Sequence, residues 1–453
     1  MIDILTLILS QLIESKWMLI SAVIVVFYAI YYRKYSFYYF IQKNNYTIGK
    51  HRLGKTLPAY PNGWFVILKT SELAVGETKY VDAHGESLAV FRANNGKSYV
   101  LAAFCPHLGA NLGVEGKVIH DSCIQCPFHA WTFDGETGNC VIGKQKTPKE
   151  GIRYEYEFDE KTKQCEFKEK QTEIVKTKKF ISREYCGFIY VWFHAKLEDK
   201  EGEENEYENF TPPYEPLDFT PTQKNLAHRG ISLNKVNCHM SDIAENGGDV
   251  LHFLYIHTEI LPVVLKGSWD AQWLRADDPK LREKMTLTNK KNNDFRMKLF
   301  DRYITEENKK YIGVIHLDNE IRLLNIDKPM HFFTLTGFQV GPGLVYLFID
   351  GLFFDTMLIQ YMKTKEKFHQ EVYHEIYTNS WTPYWFSALQ LRLEVRQVLN
   401  DGVIWDNKRF GYKAYFNKNK NDADECLIAW RKWYSQFYEG CKEEEEKKKC
   451  LDW

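Results

Sequence analysis

Neither sign of charge dominates this chain. Lys and Arg number 59 against 60 Asp and Glu, a formal net charge of −1, so nothing calls for a nucleic-acid partner. A disulfide framework is missing too. The ten cysteines (105, 123, 126, 140, 165, 186, 238, 426, 441 and 450) are scattered, which points to a reducing compartment where any special cysteine serves metal or redox chemistry. No internal repeat occurs, which sets aside repeat architectures. Long apolar runs are confined to the N-terminus, so the remainder reads as globular.

What is present is a chain of 453 residues, too long for one simple core, and two domains are expected. Tyr, Phe and Trp are plentiful (28, 29 and 12). That suits enclosure of a large apolar ligand, and equally an aromatic-rich core. The N-terminal run WMLISAVIVVFYAIYY, Trp17 to Tyr32, carries no charge and is followed by Arg33 and Lys34. It falls slightly short of the about 20 residues that span a bilayer, but flanking Lys16 and Arg33 can snorkel. No small-residue cleavage site follows, so an uncleaved single-pass anchor is expected rather than a signal peptide. The bases on its C-terminal side place the rest in the cytosol, with the endoplasmic reticulum as the expected membrane.

Punctuation and composition divide the chain into an anchor region (1–45), a linker (46–62), a first domain (63–196), an acidic linker (197–216), a second domain (217–440) and a charged tail (441–453). Seven of the eleven residues from Glu198 to Glu208 are acidic, the mark of a solvated boundary. Strand-like runs at Trp64–Lys69, Ser87–Arg92, Ser98–Phe104 and Gly187–Phe193 make the first domain β. In the second, residues 311–359 read as successive strands (YIGVIHL, EIRLLNI, HFFTLTGFQV, LVYLFI, LFFDTMLI), and Tyr361–Tyr377 and Tyr384–Phe410 as helices. The expected fold is α+β: a transmembrane helix, an all-β domain, then an α+β domain with an antiparallel sheet.

Two short motifs carry the strongest chemical signal. Cys105-Pro-His107 is followed, eighteen residues on, by Cys126-Pro-Phe-His129. Each loop offers one thiolate and one imidazole, so together they can supply two ligands to each iron of a [2Fe–2S] cluster. In a Rieske centre the cysteines hold one iron and the histidines the other, and neutral imidazoles raise the potential. Zinc fingers usually pair Cys with Cys and His with His in sequence, unlike this mixed pattern with proline after both cysteines. The stretch CPHLGANLGVEGKVIHDSCIQCPFHAWTFDGETG resembles the Rieske domain of ring-hydroxylating-type oxygenases, with a small insertion near Ile119–Ser122. Respiratory-chain Rieske subunits differ, with extra cysteines where this chain has Ala110 and Phe128, and they lack the more than 300 residues that follow here.

Downstream the chain reads Asn246-Gly-Gly-Asp249-Val-Leu-His252-Phe-Leu-Tyr-Ile-His257. Five residues turn a helix so far that the two imidazoles would point about 140° apart. Both reach one metal only if the helix ends or distorts between them. After a Rieske domain, however, N-x2-D-x2-H-x4-H resembles the iron motif of Rieske oxygenases. Two histidines and a carboxylate leave three positions on Fe(II) for oxygen and substrate. The resemblance implies a third ligand on a distant helix, and QVLNDGVIWDNK matches that segment. Asp401 shares a helical face with Val398, Ile404 and Trp405, where a buried carboxylate needs a strong partner such as a metal. Asp406 and Glu394 remain the alternatives. For Asp249 the resemblance implies a bridge, its carboxylate bonding an iron ligand and a cluster histidine of a neighbouring subunit in a head-to-tail homotrimer. Its plainer role is a helix-capping or surface acid.

From about residue 50 to 440, including the C-terminal WRKWYSQFY, the layout is similar to Neverland-type cholesterol 7-desaturases. It is more remotely similar to bacterial 3-ketosteroid 9α-hydroxylase oxygenase components. The resemblance implies a sterol substrate, O2 as co-substrate, and electrons from NAD(P)H. No flavin or nicotinamide fingerprint is evident in this chain, so a separate reductase is expected. The implied reaction turns cholesterol into 7-dehydrocholesterol. A Rieske monooxygenase that hydroxylates another steroid or hydrophobic ring compound would share every motif.

Overall fold

A computed structural model of the chain describes residues 53–438, apart from 55, 195–209, 221–224, 258, 262–264, 287–289, 324–329, 352–353, 412–413 and 417–421. The expected anchor at 17–32, the tail and most of the acidic linker lie outside the described residues. Among the described residues no helix is long and apolar enough to cross a membrane.

Short apolar runs between glycine and asparagine turns make the first domain a stack of small antiparallel sheets. Gly63–Lys69 pairs with Phe188–Phe193, which also pairs with Ser182–Tyr185. Inside that closure sit a three-stranded sheet (Thr78–Ala83, Glu86–Arg92, Ser98–Ala102), a five-stranded sheet of very short strands between Lys117 and Pro148, and a ribbon of Glu150–Asp159 with Gln164–Ile174. The strands expected at 64–69, 87–92, 98–104 and 187–193 are present within a residue or two.

The second domain is built on one eight-stranded antiparallel sheet. Its spatial order is Leu226–Val236, His369–Asn379, Asp355–Glu366, Leu344–Gly351, Met330–Val340, Ile312–Leu323, Leu265–Arg275 and Glu259–Leu261. From 259 onward the sheet is a meander, and the strand at 226–236 returns to pair with the last one. The segment between 236 and 259 therefore crosses from one edge of the sheet to the other. It carries two short helices, α1 (Met240–Glu245) and α2 (His252–Ile256). Then come α3 (Leu281–Thr286), α4 (Lys290–Tyr303), the long α5 (Tyr384–Asn407) and α6 (Asp422–Tyr434).

Two sequence expectations are corrected. Tyr361–Tyr377 is not a helix: it forms the end of one strand and most of the next, joined by a tight turn after Glu366. Gln370, Val372, His374, Ile376 and Thr378 are all buried, a period of two that the charged residues of KTKEKFHQE mask. Nor is there a turn at Asp318–Asn319. Ile312–Leu323 is one continuous strand with an irregularity between Asn319 and Glu320.

One apolar core runs through both domains, from Trp64, Phe65 and Tyr190 to Phe219, Tyr346 and Trp430. Burying each such aromatic contributes ~2–3 kcal/mol relative to exposure. Across the joint, Lys363 Nζ donates to the Ile67 carbonyl at 2.9 Å and Lys69 pairs with Glu375 at 2.9 Å. A second, smaller core of Phe91, Leu101, Leu112, Ile124 and Phe133 lies under Cys105 and Cys126.

Candidate metal centres

The loops at 105–110 and 126–131 are built alike. The Cys105 N–H donates to the Ala110 carbonyl and Gly109 N–H to Cys105; the Cys126 N–H donates to Trp131 and Ala130 N–H to Cys126. The fourth residue after each cysteine, Gly109 or Ala130, takes positive φ (73° and 57°). Glycine does so freely, whereas alanine must be held there by its surroundings. The loops set two sulfurs inward and two imidazoles outward, with the rings of His107 and His129 4.8 Å apart and nearly perpendicular. Cys105 and Cys126 are buried, His107 is half-buried, and His129 is exposed. Burial, with Cys126 beside it, pushes the Cys105 thiol up to about 11. Neither imidazole nitrogen hydrogen-bonds another group among the described residues. Two crowded thiols and two uncommitted imidazoles, on separate sides of one tip, fit the donor set of a His2Cys2 cluster. Behind His107 the Trp131 ring stacks at 4.3 Å and 4°, and Lys149 Nζ lies 3.6 Å over that indole.

The second constellation is assembled from afar. α2 is only five residues long and ends at His257, whose φ of −109° and ψ of 21° leave the helix. The end of the helix removes the 140° divergence, and the rings of His252 and His257 come to 5.0 Å. On α5 the buried residues Ser387, Leu391, Val395, Val398, Asp401, Gly402 and Trp405 form one stripe, and Asp401 points from it toward the histidines. Ile404, expected on the same face, is exposed. His257 Nε2 lies 3.2 Å from Asp401 Oδ1, and one donor atom from each of His252, His257 and Asp401 falls within 4.8 Å of the others. Asp406 is not in this group, and neither is Glu394, which lines both the triad's own space and the neighbouring cavity.

Surrounding bonds orient the three. Asn246 Nδ2 donates to Asp401 Oδ2 at 2.9 Å, and Trp269 Nε1 donates to the His257 carbonyl at 2.9 Å. His252 Nδ1 pairs with the main-chain carbonyl of Asp249, which leaves Nε2 to face inward. It is this carbonyl, and not the half-buried Asp249 carboxylate, that reaches His252. Burial holds His252 below the usual histidine value, and the neutral imidazole is the form a metal takes. His257 Nδ1 is buried without a hydrogen-bond partner among the described residues. Uncommitted ring nitrogens around a buried carboxylate fit a divalent cation. Gly248 is required too. A side chain on Gly248 would meet Trp430 Cβ at 2.4 Å, and Trp430 is fixed by a 2.9 Å bond from Nε1 to Gln339 Oε1.

Residues 63–176 match the Rieske [2Fe-2S] domain, and residues 191–438 the 3-ketosteroid 9alpha-hydroxylase C-terminal domain. Cholesterol 7-desaturase nvd 1 of Ciona intestinalis is 30% identical over 395 residues, 86% of this chain and 71% of that protein. The chain belongs to the cholesterol 7-desaturase family of Rieske oxygenases. The Drosophila melanogaster cholesterol 7-desaturase nvd is also 30% identical, over 84% of this chain and 76% of its own length. Among solved structures, dicamba monooxygenase bound to 3,6-dichlorosalicylic acid superposes with a TM-score of 0.52 at 12% identity, covering 83% of this chain and 97% of that one. That likeness concerns the fold. As a Rieske oxygenase the chain is an oxidoreductase with a [2Fe–2S] cluster and a mononuclear iron, and it uses O2 and electrons from NAD(P)H.

In this oxygenase a cavity of ≈260 Å³ opens beside His257, walled by Trp269, Phe333, Phe354, Leu358 and Phe386. It shares His257, Trp269 and Glu394 with a smaller space of ≈170 Å³ that contains all three residues of the triad. Sequence reasoning quoted Asn246 only as part of a motif. Its bond to Asp401 spans 155 positions, and no local pattern signals it.

Proposed function

We propose that this oxygenase desaturates cholesterol or a close sterol at the 7,8 position, with electrons delivered from NAD(P)H by a separate reductase. The observation that carries this reading is that His257 belongs both to the triad and to the wall of an apolar cavity. A substrate held there is a large hydrophobic one, and its reacting carbon lies against the triad. Relatives that share most of the chain are named cholesterol 7-desaturases.

On this reading Cys105 and Cys126 hold one iron of the cluster and His107 and His129 the other, while His252, His257 and Asp401 hold the catalytic iron. When bound, these groups supply stepwise electrons and the activation of O2. The chain's own residues do the rest. Asn246 fixes the Asp401 carboxylate, the Asp249 carbonyl fixes the tautomer of His252, and the aromatic wall excludes water around the sterol B ring. One hydrogen is lost from C7 and one from C8; with two electrons and two protons they reduce O2 to two waters, so the 7,8 double bond forms and no hydroxyl is added.

The same reading takes the chain as a homotrimer. Leu108 and Phe128 flank the cluster loops and are 63% and 61% exposed, and Tyr255, beside the triad, is 80% exposed. Joining these faces head to tail would bring one subunit's tip to the next subunit's Asp249. Residues 17–32 would anchor the assembly in the endoplasmic reticulum membrane with the catalytic domains in the cytosol. Incubating membranes that contain the protein with cholesterol, NADPH and O2 tests the activity. 7-Dehydrocholesterol supports it, and a hydroxylated sterol would assign the hydroxylase alternative instead.

A further inference from the structure

Glu394 has no explained duty in the triad, yet it lines the cavity beside it. It sits on α5 seven residues before Asp401, two helical turns or about 10 Å along the same face. A quarter of its side chain is open to the cavity, and its nearest polar neighbour is His374 Nε2 at 3.5 Å from Oε1. That imidazole is completely buried, and burial pushes it down to about 3, so it is neutral. It also has a closer partner, Gln360 Oε1 at 3.0 Å. No Lys or Arg pairs with Glu394 among the described residues. Burial pushes its own carboxyl up to about 7. A poorly partnered carboxyl in an aromatic cavity costs free energy unless a ligand supplies the missing hydrogen bond.

Of the other polar side chains of the cavity, Arg396 is solvent-exposed, and the remaining ones are committed or differently placed. Gln390 is bonded to Thr356 at 3.0 Å, and Asn400 reaches the Ile256 carbonyl. Gln397 is one turn from Asp401, nearer to the reacting carbon than a distant substituent would sit.

We propose that Glu394 is the subsite for the ring hydroxyl of the substrate. Its carboxyl bonds the 3-hydroxyl of the sterol A ring, with His374 behind it, and the two turns between Glu394 and Asp401 set which B-ring carbon faces the triad. A hydroxyl both donates and accepts, so it satisfies the carboxyl in either protonation state.

This subsite rests on the sterol reading, and the test separates the two. Equilibrium binding of radiolabelled cholesterol and of cholest-5-ene, which lacks the 3-hydroxyl, is measured on the full-length holoenzyme without reductant, so that no turnover occurs. Wild type should prefer cholesterol by about tenfold, the weight of one buried hydrogen bond. Glu394→Leu should erase that preference and leave cholest-5-ene binding unchanged, whereas Glu394→Gln should retain most of it. Equal binding of both sterols by wild type would overturn the subsite while the sterol reading stands, and needs no variant. A preference that survives in Glu394→Leu, or that vanishes only in Gln397→Leu, overturns it as well. Binding of neither sterol removes the sterol reading and the subsite together.

Discussion

The cluster tip and the triad hold donors by opposite means. At the tip, two loops of one design are pinned by their own backbone hydrogen bonds, and all four donors fall within 25 residues of sequence, from 105 to 129. At the triad, a five-residue helix and a 24-residue helix meet across 144 positions, and side-chain bonds from Asn246 and Trp269 do the orienting. The tip leaves His129 exposed; the triad buries all three residues. One site is therefore preformed locally and open to other proteins. The other depends on the packing of a whole domain and faces an apolar cavity.

If the sites are that independent, losing one should spare the other. Cys126→Ala should abolish the low-average-g EPR signal of the reduced cluster and the labile sulfide, while the catalytic iron remains by metal analysis. Asp401→Ala should do the reverse, losing one iron per chain and all product formation with the cluster's colour retained. A variant of either kind that loses both metals would break the comparison. Asn246→Ala should sharpen it. Removing the partner that orients Asp401 should weaken iron binding about 10–100-fold, read by competition with a chelator, with no change in the cluster spectrum. The smallest effect belongs to Lys149. Its charge acts through the Trp131 indole on His107, and a cation beside the cluster favours the reduced state. Lys149→Gln should lower the reduced-to-oxidised ratio at fixed solution potential by about threefold, about half of the tenfold step that ~59 mV makes in a one-electron couple. An unchanged ratio would mean that solvent screens the lysine completely.

The same contrast explains what could be read in advance. The tip was legible because its loops are short and their spacing is itself the chemistry. Asp401 could be singled out because a carboxylate stood on an apolar helical face, although Ile404 proved to lie off that face. Asn246 could not be given its duty, because a hydrogen bond between residues 155 apart leaves no local trace. In the fold, strands with plain alternation were evident. The hairpin at 361–377 was not, because lysines and glutamates on its open face imitate a helix. α4 and α6 had no clear signal either. Their apolar residues serve a core whose other half is far away in sequence, as Trp433 against Trp273 illustrates.

The joint between the two domains has a mechanical consequence. A single aromatic core passes through it, and it is clamped by Lys363 on Ile67 and Lys69 on Glu375. The iron–sulfur tip is thus a fixed terminal, not a swinging arm. It presents one orientation to every visitor, and traffic of electrons through it is governed by which protein surface arrives and how long it stays.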